Sequence, residues 1–422
     1  MTTGQAMTIR RPGTMRIPGF LPPVLVGVLC GTFWAACSGG PGGGGGAGGL
    51  RSTVRDSAGV MIVDNGRPAL DSRLGWQVGP TPTATIGTAE GDAAYELFRV
   101  GGAMRLSDGR IVVANAGTGE LRVYDSDGIH LESWGGQGDG PGEFGAMAPG
   151  GVEPWPGDSL MARDSFRSRI SIFSADGTFG RVLRLQGGYE RVGGPLQDGR
   201  VFAATLSTSE PGEPGTSELI RPDLEYGILQ ADGSVQRDLG AYLGSELYFV
   251  VTADGSPFPR PYPFDRSAFA FVWGDLVVIT TNDRYEIRAY RPDGSLARIV
   301  RRDHEARAPT RADLRDAVAR QNPDRPEALE AVADMPLVEA FPAFGRVLAD
   351  RLGHLWVEEY RLPGETHRLW TVFDPEGRSL GLVEMPGSFT VAEIGEDYIL
   401  GTRRDELGIE YVESWSLDRS GS

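Results

Sequence analysis

Residues 107–128, SDGRIVVANAGTGELRVYDSDG, decide the fold. Gly109 makes a turn into an apolar run. The alternating stretch LRVY then runs into a second, acidic turn at Gly128. This two-part signal returns five more times. Glycines 157, 199, 274, 353 and 395 sit in PGDSLMA, QDGRVFA, WGDLVVI, RLGHLWV and EIGEDYILG. ISIFSADG, YGILQADG, IRAYRPDG, WTVFDPEG and YVESWSLDRSG then end on glycines 177, 233, 294, 377 and 421. Alternating apolar residues between turn residues mark half-buried strands. A unit of about four short strands repeated every ~40–50 residues is the pattern of a β-propeller blade. The expected fold is all-β, a six-bladed β-propeller.

A second repeat predicts how the ring closes. The segment after the first hairpin, SWGGQGDGPGEF at 133–144, is matched upstream by TIGTAEGDAAYEL at 85–97, with Asp92 on Asp139, Glu96 on Glu143 and Leu97 on Phe144. The segment near residue 85 thus behaves as an outer fourth strand, yet it precedes the first blade. The last blade lacks a fourth strand. An N-terminal strand completing the C-terminal blade leaves no long open edge.

The N-terminus reads as an export signal. Arg10, Arg11 and Arg16 form a basic region, no acid occurs before Asp56, and an apolar run, VLVGVLCGTFWAA, fills 24–36. That run is short for a spanning helix but suits a signal peptide. Ala35-Ala36-Cys37-Ser38, followed by a Gly-rich tether, resembles a bacterial lipoprotein signal, with Trp34 where Leu is usual. The resemblance implies lipidation of Cys37. The expected division is a signal at 1–37, a tether at 38–55 and a propeller domain at 56–422.

Only Cys30 and Cys37 are present, both ahead of the propeller, so disulfides and thiol catalysis are excluded there. The chain has no lysine; all 41 basic residues are arginine, against 57 acids, a net charge of −16. Schiff-base and Walker lysines are excluded. Nucleic acid is not an expected partner, because phosphate neutralisation needs clustered positive charge, and membrane contact is expected through the lipid anchor only.

The repeats are interrupted at three places. The distance from the first turn glycine to the second is 19, 20, 34, 20, 24 and 26 residues, so blade 3 carries extra chain at 207–223. Long connections occupy 241–266 and 303–342. The first is Pro- and aromatic-rich and reads as an ordered loop. The second contains TRADLRDAVAR, a helix with Thr310 at its N-cap and Asp313 in the capping-box position, and RPEALEAVADM, a second short helix with Pro326 in its first turn. A short helical insertion is thus expected between blades 4 and 5. Because strands alternate in direction, all three insertions emerge on one face, the expected binding face.

The candidate site follows from that face. The second strands end there in Asn115, Asp164, Asn282 with Asp283, Glu359 and Arg403, which would form a polar floor. Phe258, Arg260, Tyr262 and Phe264 would supply an amphipathic rim. The four histidines, at 130, 304, 354 and 367, show no metal-ligand spacing. No cofactor is called for; a Ca2+ ion on the carboxylates and asparagines is the one candidate. No GxSxG or phosphate-binding glycine loop occurs.

The repeats together resemble the six-bladed propellers of the NHL and TolB-like group. SWGGQGDGPGEF and ADRLGHLWV at 349–357 carry the resemblance, which spans roughly residues 74–418. In particular the chain looks like the bacterial six-bladed propeller lipoproteins. Relatives in the wider superfamily include calcium-dependent lactonases and a lyase. Glu153 in GVEPW loosely matches the lactonase Glu motif without its Gly, and the two Asn of that site have no match, so no catalytic residue is carried over. The expected function is a membrane-anchored extracytoplasmic propeller that binds a small molecule or protein on the insertion face. The alternative is a lactonase-like hydrolase or lyase with a divalent cation at the channel mouth.

Overall fold

The computed structural model describes residues 51–206, 216–251, 256–322, 325–362, 365, 367–387 and 389–421. The signal segment, Cys37 and the tether up to residue 50 lie outside the described residues. No helix among the described residues is long and apolar enough to cross a membrane.

The chain is an all-β protein of the β-propeller type. Five sheets have four consecutive antiparallel strands, or a path containing them. Sheet I comprises Val100–Arg105, Ile111–Asn115, Glu120–Tyr124 and His130–Gly135. Sheet II comprises Val152–Trp155, Ser159–Asp164, Arg169–Ser174 and Phe179–Arg184. Sheet III uses Arg191–Pro195, Val201–Leu206, Asp223–Leu229 and Val235–Leu243, and sheet IV uses Ala268–Trp273, Leu276–Thr281, Glu286–Tyr290 and Leu296–Arg302. Sheet V uses Phe344–Ala349, Leu355–Glu359, Leu369–Phe373 and Ser379–Glu384. In sheet VI, Thr390–Ile394, Tyr398–Arg404 and Glu410–Asp418 are joined by Ala84–Ile86, with Val412 opposite Ile86 and Ser414 opposite Ala84.

The turn glycines are needed for their backbone conformation. Glycines 109, 157, 199, 274 and 353 have φ between +62° and +92°, a region closed to most side chains. Gly421, expected to be a hairpin turn, is not one. The third strand of sheet VI ends at Asp418, and Gly421 packs backbone to backbone against Gly75 instead.

Six apolar clusters fill the spaces between successive sheets. Phe144, Phe173 and Trp134 lie between sheets I and II. Trp356, Trp370, Phe389 and Trp415 lie between V and VI. Ile86, Leu97, Tyr124 and Leu400 lie between VI and I. The SWGGQGDGPGEF segment therefore contributes architecture. Its glycines 135, 136 and 142 take positive φ, Glu143 accepts from Gly140 N at 2.7 Å, and Phe144 is thrust into the core.

Two features depart from expectation. Ser52–Ser57 and Val60–Asn65 form a hairpin that lies parallel on Leu296–Arg302, making sheet IV six-stranded; these residues straddle the expected tether boundary at 55. Asn65 fastens the hairpin. It donates to Arg301 O and Gly377 O at 2.9 and 3.0 Å and accepts from Ser379 N at 2.9 Å. The 241–266 connection is not a loop. Leu247–Val251 pairs with Ser217–Ile220 from the 207–223 insertion on one side and with Pro257–Arg260 on the other, as a separate three-stranded sheet. The third insertion carries α1, Arg311–Gln321, with the Thr310/Asp313 capping box formed, and a 3-10 segment at Pro326–Ala333 where a second helix was expected.

Candidate functional site

Asn115, Asp164 and Asn282 are buried clips. Each side-chain oxygen accepts a backbone N–H from the segment leading into its sheet: Phe98 N at 2.8 Å, Gly145 N at 3.1 Å and Ser267 N at 2.7 Å. Asn115 also donates to Thr118, Asp164 takes Arg169 Nε at 3.0 Å, and Asn282 donates to Phe344 O at 2.9 Å. All three are under 4% exposed. A strand-end carboxamide or carboxylate that satisfies an orphan N–H is held there by the desolvation cost of leaving it, so these three form no open floor. Arg403 pairs with Glu413 at 2.6 Å and lies over the Tyr411 ring at 4.3 Å.

The expected rim is also partly core. Tyr262 and Phe264 are 4% and 2% exposed. They pack with Tyr248, Leu314, Val318 and Phe341 in a cluster drawn from two of the insertions, with Leu219 of the third against it. Tyr262 OH donates to Pro336 O at 2.8 Å, and the Phe264 and Phe341 rings meet edge to face at 4.9 Å. The insertions thus come together, but these two aromatics bind them to each other. Phe258 and Arg260 remain exposed.

Glu359 and Asp283 open onto two different clefts. The larger, about 1030 Å3, is walled by three separate segments: the strap 67–73, the connection at 304–308 with Phe341–Ala343, and Glu359–Leu362 with Glu365, His367 and Leu369 of sheet V. At its floor Glu359 receives both Arg302 Nη atoms, at 2.5 and 2.9 Å, the Thr371 hydroxyl at 2.6 Å and Tyr285 OH at 3.1 Å. Arg302 is itself stacked on the Tyr285 ring at 3.8 Å. Partial desolvation beside Tyr285, and then the positive charges of Arg302 and Arg67, lower the pKa of His304, which is still exposed at its outer edge, and this favours the neutral imidazole.

The smaller cleft, about 580 Å3, is bounded by Tyr242, Arg266, Asp283, Arg284, Glu286 and Glu339 among others. Asp283 takes a two-pronged bond from Arg221 at 2.6 and 2.8 Å and lies 3.3 Å from Arg266, which pairs with Glu246. Burial alone would raise its pKa. The Arg221 and Thr281 hydrogen bonds outweigh that and hold it below the usual carboxylate value. Among the described residues no three His, Cys, Asp or Glu side chains are grouped so that they could hold a metal ion.

The strap 67–73 escaped the sequence reading; the 303–342 insertion was expected at the rim, but its residues 304–308 were not singled out. The one available signal was local: DHEARA at 303–308 and EEYRL at 358–362 both interrupt the repeat with dense charge beside aromatic or apolar residues.

No protein-family model matches the chain, and no curated protein matches it. Solved structures do align with it at low identity. A candidate exported protein of Bacteroides fragilis gives a TM-score of 0.46 at 11% identity, over 84% of this chain and 99% of that one. Virginiamycin B lyase from Staphylococcus aureus gives 0.34 at 10%, over 81% and 99%. A gluconolactonase of Xanthomonas campestris gives 0.35 at 15%, over 83% and 91%. No residue role is transferred from proteins this distant, since fold and function separate readily.

Proposed function

We propose that this chain is a lipid-anchored extracytoplasmic binding protein, a six-bladed propeller whose insertion-bearing side takes a ligand in the cleft between the 304–308 connection and sheet V. The observation that carries this reading is the cleft itself. It is concave, of about 1030 Å3, mixed in polarity, and assembled from three segments distant in sequence. The insertions that interrupt the repeat build one of its walls.

Sheets I–VI are read as six blades and the Ala84–Ile86 strand as the closing strand. The support is the contact of first strands in the order VI, I, II, III, IV, V and the apolar cluster between VI and I. Export and anchoring rest on the segment through Cys37 and its Gly-rich sequel. Replacing Cys37 by Ser is expected to release the protein from the membrane fraction and abolish lipid labelling; retention of label would sink the anchor.

The binding reading is tested with Ala308→Trp, which puts an indole at an exposed position in the cleft wall. Compounds that raise the wild-type melting temperature by mass action should lose that effect in the variant. Equal shifts in both proteins would place binding elsewhere.

A further inference from the structure

We infer that the larger cleft takes a small organic oxyanion, a carboxylate or a phosphate ester, carried on an apolar body, with Arg67, Arg307 and Arg361 as its anion-binding residues. This rests on the reading of that cleft as the ligand site.

The argument starts from charge. The chain has a net charge of −16, and many of its described arginines, such as Arg169, Arg221, Arg368 and Arg403, are ion-paired with acids. Arg67, Arg307 and Arg361 line the cleft, and none of their guanidinium groups has a hydrogen bond or ion pair among the described residues. A guanidinium is always charged and presents a fork suited to carboxylate and phosphate oxygens. Three guanidinium groups without a hydrogen-bonded partner on one concavity are open to an external anion, although Arg307 also lies within the electrostatic reach of Asp313.

The floor does not oppose that anion. Glu359 is neutralised from beneath by the two-pronged bond from Arg302 and is capped by Thr371 and Tyr285. His304 sits against Tyr285, 6.3 Å between ring centroids, and feels Arg67 and Arg302. A neutral imidazole there is able to donate one hydrogen bond to an oxyanion.

The remaining acids define what is excluded. Asp71, Glu305 and Glu365 are exposed in the same walls, and Glu365 spends one oxygen on Leu362 N at 3.0 Å. A polyanion would meet them, whereas a single anionic group has fewer charges to place beside them. The apolar share of the wall comes from Leu70, Tyr360 and Leu362. A bare inorganic ion would leave that surface wet. The volume is that of a small-molecule site, which runs to roughly 1,000 Å3.

The test uses four naphthalene probes by calorimetry at low salt on the full chain: 2-naphthoate, 2-naphthyl phosphate, the neutral 2-naphthamide and cationic 2-naphthylmethylamine. The expected result is binding of one or both anions, with amide and amine weaker by about tenfold or more. Preference between the two anions assigns carboxylate or phosphate. Arg67→Gln, Arg307→Gln and Arg361→Gln should each weaken the preferred anion by about three- to tenfold, and Ala308→Trp should abolish binding. All three arginines are exposed and unmatched, so their variants should keep the wild-type melting temperature. If the amide binds as well as the anions and Ala308→Trp blocks both, the anion inference is overturned and the cleft reading stands. If anions bind and Ala308→Trp has no effect, both are overturned. Binding of none of the four probes overturns the inference.

Discussion

Ile86→Ala tests directly the proposal that Ala84–Ile86 is a closing strand. Ile86 belongs to an N-terminal segment, yet it is fully buried among Leu97, Ile111, Val113, Tyr124, Tyr398, Leu400 and Val412. It packs beneath the first hairpin, where a Cβ on Gly128 would come within 3.2 Å of Ile86 Cγ1. Truncating an enclosed Ile to Ala removes its transfer free energy and leaves a cavity, together about 2–5 kcal/mol. Unfolding entropy near the midpoint is about 2.1 cal/mol/K per residue, so a unit of about 370 residues loses roughly 3–6 °C for that change. Val54→Ala on the exposed outer hairpin strand is the control, with an expected change inside about 0.5 kcal/mol.

The assay is scanning calorimetry at matched scan rate, with amide exchange read at residues 412–414 and in sheet III. The Ile86 variant should lose protection first at 412–414, where its strand pairs. If Ile86→Ala and Val54→Ala melt within a degree of each other, the Ala84–Ile86 strand is a passive addition, and the account of closure is wrong.

Three further perturbations separate structure from site. Glu359→Gln strips the counter-charge from Arg302, whose side chain is 2% exposed; breaking a buried pair on one side costs about 3–5 kcal/mol, so the melting temperature should drop by several degrees, and a paired Arg302→Met, Glu359→Leu variant should recover most of it. Asp350 accepts from Trp356, His354 and Arg419 with no side-chain exposure. Burial would raise its pKa, but these partners win and hold it below 3.8. Its stabilisation is therefore present above about pH 3.8 and is lost as pH falls through the lower folded value. Melts from pH 7 down to 2 should show Asp350→Asn less stable at neutral pH, with the gap closing only below about pH 4; a gap independent of pH would show that charge is not what Asp350 contributes. Asn115→Ala should cost about 1–3 kcal/mol through the stranded Phe98 N–H while leaving probe binding in the cleft unchanged, and a loss of affinity would return Asn115 to the site.

What was legible in the sequence was whatever the backbone imposes locally. Gly109 and its counterparts mark turns because a positive φ leaves few alternatives, and Thr310 with Asp313 marks a helix start because capping is chemistry between neighbours. The pairing of residues 84–86 was readable because Leu97 repeats the role of Phe144, each filling the space between its sheet and the next. The hairpin 52–65 was missed for the converse reason. Its turn, Ala58-Gly59, is local, but its parallel partner 296–302 is more than 200 residues away, and no local pattern names a parallel partner.

The site was legible only as a side of the molecule, and side-chain direction explains why. A polar residue ending a strand has two uses for its polar atoms, outward to a ligand or inward to an orphan N–H. Asn115, Asp164 and Asn282 take the inward use, because the segment leading into each sheet arrives with a donor that strand pairing does not satisfy. Glu359 has no such donor to serve. It turns to Arg302, which reaches it from the last strand of sheet IV, so that its oxygens too are taken from within while the residue borders the cleft. The same logic separates the aromatics. Tyr262 and Phe264 lie where three insertions must bury a common apolar surface, and they fill it, whereas Phe258 sits on an outer strand and stays exposed. The insertions therefore cohere by using up the aromatics that seemed available for binding. What they hold against sheet V is a wall carrying Arg307, across the cleft from Arg67 on the strap and Arg361 on the sheet V side, so that three arginines without ion pairs among the described residues share the cleft with the acids Asp71, Glu305 and Glu365.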